Sequence, residues 1–118
     1  MTQPIVIVDA ENVRRSRWPN LSAADLVARA RAWADAQGLD LLVVFDGPPP
    51  QDAPDLIGSR RGESADDRIA ELAERLTTDG SAYWLVTSDR GLRARAAAGA
   101  VRVVGGGSFL STLERASG

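Results

Sequence analysis

The chain predicts an α/β fold: a parallel sheet of about four strands flanked by helices, in one domain spanning residues 1–118. Three observations carry this reading. Short apolar runs rich in β-branched residues alternate four times with segments of helical periodicity, the pattern of a parallel sheet with right-handed crossovers. The first three runs end at or just before an aspartate, namely Asp9, Asp46 and Asp89. No repeat, low-complexity tract or linker interrupts the series.

Each element follows from local chemistry. Ile5 to Val8 is apolar and β-branched throughout, as a buried strand requires, and it stops at Asp9. Residues 20–37 predict a helix: Ser22 and Asp25 have capping-box spacing, Leu26, Val27, Ala30 and Trp33 form the apolar face, and Gly38 terminates it. Leu39 to Phe45 is the second strand. Residues 46–63, which include Pro48, Pro49, Pro50 and Pro54, predict a largely irregular connection of the length that functional loops have. From Ser64 the pattern turns helical, with Ala65, Ile69, Leu72, Ala73 and Leu76 on one stripe. Ala82 to Thr87 is a third strand, Arg90 to Ala98 a helix stopped by Gly99, and Val101 to Val104 a fourth strand. Gly105 to Gly107 then turns the chain into a short last helix with Ser108 as its expected N-cap. Trp33 and Trp84 lie in apolar patterns and are expected in the core. Trp18, in the sequence RRSRWPN, is expected to anchor its loop by packing, with stacking on an unpaired base as the alternative.

Composition excludes most catalytic chemistry. With no cysteine there is no disulfide, zinc ribbon or thiol nucleophile; with no histidine there is no imidazole base and no Ser-His-Asp triad. All fourteen basic residues are arginines, so a P-loop lysine and a Schiff-base lysine are excluded as well. Little hydrolytic chemistry remains beyond lending carboxylates to a divalent cation. The apolar runs are too short to span a bilayer and no basic-then-apolar leader precedes Ile5, so a cytoplasmic protein is expected. The net charge of -2 is unremarkable, but its distribution is informative. Arg14, Arg15 and Arg17 follow the first acidic signature, Arg60 and Arg61 precede the second, and Arg90, Arg93 and Arg95 follow the third. Basic residues beside each acidic signature suit a site that holds a cation and a polyanion together.

Strand ends and helical faces turn positions into a place. Parallel sheets bind ligands outside the carboxyl ends of their strands, so Asp9, Asp46 and Asp89 should emerge along one edge. On the helix after Ser64, Asp66 lies about 70° from the centre of the apolar stripe and should lean toward the sheet. Asp67 lies on the opposite face with Glu71 and Glu74; capping from Ser64 is its competing role. Gathering Asp9, Asp66 and Asp89 costs several kcal/mol unless a cation compensates them. Mg²⁺ or Mn²⁺ is the natural occupant, since both take oxygen ligands alongside substrate phosphate. Asn12, Thr87 and Ser88 are placed to hydrogen-bond a ligand carboxylate or a phosphate, or else to form ordinary turns and caps. Gly105 to Gly107 either cradles a phosphate or simply makes a tight turn.

Taken in order, IVDAEN, VVFDG, ESADDRIAEL and VTSDRGL, closed by the Gly-rich turn, resemble the NYN branch of the PIN-like nucleases and in particular the bacterial YacP-like proteins. The resemblance spans nearly the whole chain. It implies a single-domain PIN-like (Rossmann-like) fold and a Mg²⁺- or Mn²⁺-dependent endoribonuclease with single-stranded RNA as partner. By position it implies Asp9, Asp66, Asp89 and Asn12 as catalytic residues, with Asp67 joining Asp9, Asp66 and Asp89 as a metal ligand. Arg14, Arg15, Arg60, Arg61, Arg90 and Ser88 are the expected substrate contacts. The implied mechanism is in-line attack of metal-activated water on a phosphodiester, leaving a 5′-phosphate and a 3′-hydroxyl. The chain departs from its bacterial relatives at Ala10, Glu11 and Asn12, where they often carry Gly-Tyr-Asn, and it is short for that group.

Other classes fit less well. A haloacid-dehalogenase-type phosphatase needs an aspartate where Glu11 stands and a lysine besides; a two-component receiver also needs a lysine. A Toprim-like nuclease lacks its later Asp-x-Asp pair here. The serious rival is a degenerate PIN-like module that binds RNA or a protein without cleaving. The oligomeric state is left open, a homodimer included.

Overall fold

Five parallel strands, in the order β3-β2-β1-β4-β5, form the sheet of the computed structural model, which describes residues 3–117. They are β1 (Ile5–Asp9), β2 (Asp40–Phe45), β3 (Leu56–Gly58), β4 (Tyr83–Val86) and β5 (Arg102–Val104). The helices are α1 (Ala10–Arg14), α2 (Ala23–Gln37), α3 (Ala65–Thr78), α4 (Arg90–Ala96) and α5 (Gly106–Ser117). Among the described residues no helix is long and apolar enough to cross a membrane.

Alternation along each strand divides the apolar residues between two cores. Val6, Val8, Val43, Phe45 and Val86 point to one face, where they pack against α1, α2 and α5 through Val13, Leu26, Trp33, Phe109 and Leu113. Ile7, Val44, Tyr83 and Leu85 point to the other, against Ile69 and Ala73 of α3 and Leu92 and Ala96 of α4. Being covered on both sides explains why the central strands read as continuous apolar runs. Trp33 is buried as expected, its ring edge-on to Phe109 at 5.1 Å between centroids. Trp84 is half-buried instead, and the Arg102 guanidinium lies 4.7 Å from its ring centroid.

The caps form largely where local chemistry put them. The Ser22 side chain accepts from the Asp25 amide and Gly38 closes α2 in the left-handed conformation, φ 68°. Ser64 and Asp67 form a reciprocal capping box at the start of α3.

Three expectations need correction. The sheet has five strands, not four: the connection after β2 contains β3, only three residues long and preceded by Pro54, too short for periodicity to register. β3 is held in place because the Asp55 carboxylate takes two hydrogen bonds from the Arg31 guanidinium on α2, at 2.7 and 2.8 Å. The chain also turns helical immediately after Asp9, forming α1. Finally, α5 begins at Gly106, so Ser108 sits inside the helix; the Gly106 amide donates instead to the Ser88 hydroxyl oxygen, at 2.9 Å, from another turn of the fold.

Candidate active site

β1 is the strand at which the connections reverse direction: β2 and β3 lie to one side, β4 and β5 to the other. The crevice outside its carboxyl end is where a parallel sheet of this kind offers a ligand site. A cleft of about 890 Å³ opens there, lined by Glu11 on α1, which pairs with Arg14 and Arg15, and by four further carboxylates: Asp9 at the end of β1, Asp46 just past β2, Asp66 on α3 and Asp89 capping α4.

Strand parity aims Asp9. It lies two residues beyond Ile7 and therefore on the sheet face covered by α3, the helix carrying Asp66. Only 5% of Asp9 is exposed, an unusual burial for a carboxylate, and its one side-chain partner is the fully buried Thr87, whose hydroxyl donates to Asp9 Oδ2 at 2.9 Å. The same Thr87 oxygen accepts from the Asp89 amide at 3.1 Å. Burial pushes the Asp9 carboxyl up to about 6; the Thr87 bond and the nearby Asn12 amide oppose this, and the charges of Asp66 and Asp89 reinforce it. The Asn12 amide does so without closing a capping hydrogen bond.

Asp66 leans into the cleft, half-buried, as its position relative to the apolar stripe requires. Its carboxyl is raised by burial first and then by Asp89, with Asp67 and Asp46 adding to the effect and Arg95 opposing it. Asp89 spends one oxygen on α4: Oδ1 accepts from the Leu92 amide at 2.8 Å. Asp46, which its strand end puts on this edge, joins the site residues by lining the cleft. Its Oδ1 accepts from the Ala65 amide at 3.2 Å, tying β2 to the start of α3. Among the described residues none of these four carboxylates forms an ion pair.

Asp67 does not join them. One of its oxygens accepts from the Ser64 amide at 3.1 Å, and the other takes a hydrogen bond from Arg95 at 3.0 Å. The Ser64 amide above all, then Arg95, holds this carboxyl below the usual range. Its capping role therefore accounts for it, and the metal-ligand role expected of it has no geometric basis: it lies outside the cleft lining and its charge is already compensated.

Asn12 plays neither of the parts foreseen for a turn former. From α1 its Oδ1 accepts from the Ser88 amide at 2.9 Å, which leaves its amide nitrogen, without a partner among the described residues, as a donor on the cleft wall. Gly106 explains itself here. A Cβ at that position would fall within contact of Asn12 Oδ1 and of the Asn12 carbonyl, so the Gly-rich turn exists to let α5 approach α1. Ser88 joins the same network through its amide and its hydroxyl oxygen, and both Ser88 and Gly107 line the cleft.

The arginines divide. Arg15 lines the cleft with 69% of its side chain exposed, loosely paired to Glu11 at 3.2 Å. Arg14 does not reach the site: it pairs with Glu11 and donates to the Leu21 carbonyl at 2.8 Å, fastening a loop. Arg60, Arg61 and Arg90 are exposed and lie outside the cleft lining; Arg60 is drawn toward Glu71 at 3.5 Å.

As a donor set, these carboxylates are hard oxygen ligands with uncompensated charge, the chemistry that Mg²⁺ and Mn²⁺ select. Among the described residues no three acidic side chains are already drawn together around one point.

No protein-family model matches the chain, and no curated protein does. Solved structures are similar to it. The crystal structure of a tryptophan-to-leucine mutant of Rae1 (YacP) from Bacillus subtilis superposes with a TM-score of 0.77 at 25% identity, covering 98% of this chain and 77% of that one. The crystal structure of Rae1 (YacP) without that substitution gives 0.75 at 22% identity, over 98% and 76%. The chain therefore has a YacP-like fold, the one its four motifs resemble.

Proposed function

We propose that this protein is a PIN-like endoribonuclease that hydrolyses RNA phosphodiesters with the help of a divalent cation. One observation carries the reading: four carboxylates delivered by four separate elements share a single cleft with no cation partner among the described residues. Such charge is costly to bury and to gather: burial first, and the neighbouring acids after it, raise the Asp9 and Asp66 carboxyls. A module that only bound RNA or protein would have no use for it. The YacP-like fold and the order of the motifs support the same conclusion.

Asp9, Asp66 and Asp89 would hold Mg²⁺ or Mn²⁺, with Asp46 as a fourth oxygen donor at the mouth. When bound, such an ion supplies Lewis acidity, acidifying water and drawing charge from a phosphoryl group. Thr87 keeps the Asp9 carboxylate in one orientation through its hydroxyl. The free Asn12 amide nitrogen presents a donor to a phosphate oxygen, and Arg15 beside it adds a guanidinium suited to a phosphodiester. Histidine is not required, because no side chain need act as the base.

The decisive experiment pairs calorimetric titration of Mn²⁺ with a cleavage assay on a single-stranded RNA. The parent should bind Mn²⁺ and yield 5′-phosphate and 3′-hydroxyl ends. An Asp66→Asn variant should stay folded and lose both metal heat and cleavage. Cleavage by the variant equal to that of the parent would remove the assignment.

A further inference from the structure

Trp18 is 85% exposed, although as a loop anchor it should be packed. The expectation of packing fails because other residues do the anchoring. The loop between α1 and α2 is closed by the Leu21 amide donating to the Arg14 carbonyl at 3.2 Å and by Arg14 Nε donating to the Leu21 carbonyl at 2.8 Å. The Ser16 hydroxyl donates to the Val13 carbonyl at 2.6 Å. Arg17 is held from the other side by Ser111 Oγ at 2.6 Å and by Glu114, both on α5. A loop fastened at Arg14, Ser16 and Arg17 thus carries, between fixed points, an indole that buries almost nothing.

Leaving the largest apolar side chain in water forgoes stabilisation that burial would give, and its position beside the carboxylate cleft is what points to a partner. The surroundings say which. Arg15 and Ser16 of the same loop line the carboxylate cleft, and Trp18 lies two residues farther on, at most about 7 Å of backbone away. That is the reach of one nucleotide from a phosphodiester in the cleft. The exposed Arg15 guanidinium on the cleft lining matches the backbone of such a strand. A protein partner would need a contiguous apolar patch, and the other large exposed hydrophobics, Val101 and Val103, belong instead to the sheet-edge strand β5 and its approach.

We propose that Trp18 is a stacking platform for an unpaired nucleobase of the strand whose phosphodiester occupies the cleft. This rests on the nuclease reading above and assigns to that site a single-stranded substrate gripped next to the point of attack. Stacking on an aromatic face is tolerant of base identity, so Trp18 would favour unpaired over paired RNA without imposing a sequence.

The test uses the full chain with an Asp66→Asn background to keep the probe intact, and a ten-nucleotide uridine-rich RNA as that probe. Binding should quench the emission of Trp18, the one exposed tryptophan of three; Trp33 is buried and Trp84 half-buried. Trp18→Ala should remove the quench and weaken binding roughly 5- to 150-fold, while Trp18→Phe restores most of it. The slope of log affinity against log salt should be the same in Trp18→Ala as in the parent, since a stacked ring releases no counterions; Arg15→Ala should lower it by about one. Equal affinity of Trp18→Ala and parent for the RNA overturns the inference and leaves the nuclease reading standing. So does equal quenching by a blunt duplex, or a Trp18-dependent dimer with unchanged RNA affinity. Quenching and weakened binding in a protein whose parent never cleaves with Mg²⁺ or Mn²⁺ would uphold the platform and remove the nuclease.

Discussion

The Thr87 hydroxyl donates to the buried Asp9 carboxylate at 2.9 Å while its oxygen accepts the Asp89 amide at 3.1 Å, so one side chain sets the position of two acids that arise 80 residues apart in a chain of 118. Replacing Thr87 by Val keeps the shape and deletes both bonds. The variant should lose about 1–3 kcal/mol of stability in urea denaturation, and Asp9 should protonate at higher pH, followed by carboxyl NMR. Thr87→Ser should restore the Asp9 midpoint. An unchanged midpoint in Thr87→Val would show that the hydroxyl does not hold Asp9.

Asp9 makes stability fall as pH rises. Its carboxyl titrates near 6 in the folded protein against 3.8 ordinarily, so between those values the folded state holds the proton that the unfolded state has lost. The resulting penalty is absent below about pH 4 and complete above about pH 6. A shift of about two units is worth about 3 kcal/mol. In chelator-treated protein Asp9→Asn should therefore be more stable than the parent by up to about 3 kcal/mol at pH 7.5, and equal to it near pH 4. Divalent cations should stabilise the parent and not the variant. A gain independent of pH would contradict the linkage.

The adjacent pair on α3 should separate cleanly. Asp67→Ala removes the capping box and the Arg95 pair, so the melting temperature should drop, yet Mn²⁺ heat and RNA cleavage per folded molecule should persist. Asp66→Asn should do the reverse. If Asp67→Ala abolishes Mn²⁺ binding in folded protein, the ligand set assigned here is wrong.

Gly106→Ala tests the contact between α5 and α1. The added methyl meets the Asn12 side-chain oxygen and carbonyl, so the α5 turn must retreat at a cost of about 1–3 kcal/mol. The Ser88 amide then loses its registration with Asn12, and cleavage should fall more than stability explains. Full activity in Gly106→Ala would show that Asn12 need not be held this tightly.

Much of the site is legible in the sequence. Strand ends located Asp9, Asp46 and Asp89 on one edge, and a helical projection separated Asp66 from Asp67, because both arguments use only the 3.6- and 2-residue periods of the backbone. The projection put Asp67 among solvated acids. It could not show Arg95, 28 positions later on α4, reaching that carboxylate. Nor could it show that Asp46 would line the same cleft, since that depends on where the loop before α3 brings Ala65. β3 escaped because three residues contain no period to measure, and its partner Arg31 lies on another element.

Local chemistry therefore determined the longer strands and helices and most of their ends, and that the chain had no imidazole, thiol or lysine amine with which to act. Those are properties of neighbours in sequence: β-branched runs, capping pairs and the absence of histidine, cysteine and lysine. Folding in three dimensions decided which acids stayed uncompensated, which arginines were consumed by carbonyls and carboxylates, and that Trp18 was left in water. Each of those outcomes is a competition between groups far apart in the chain, settled by distance and burial, which exist only once the sheet has brought its edges together.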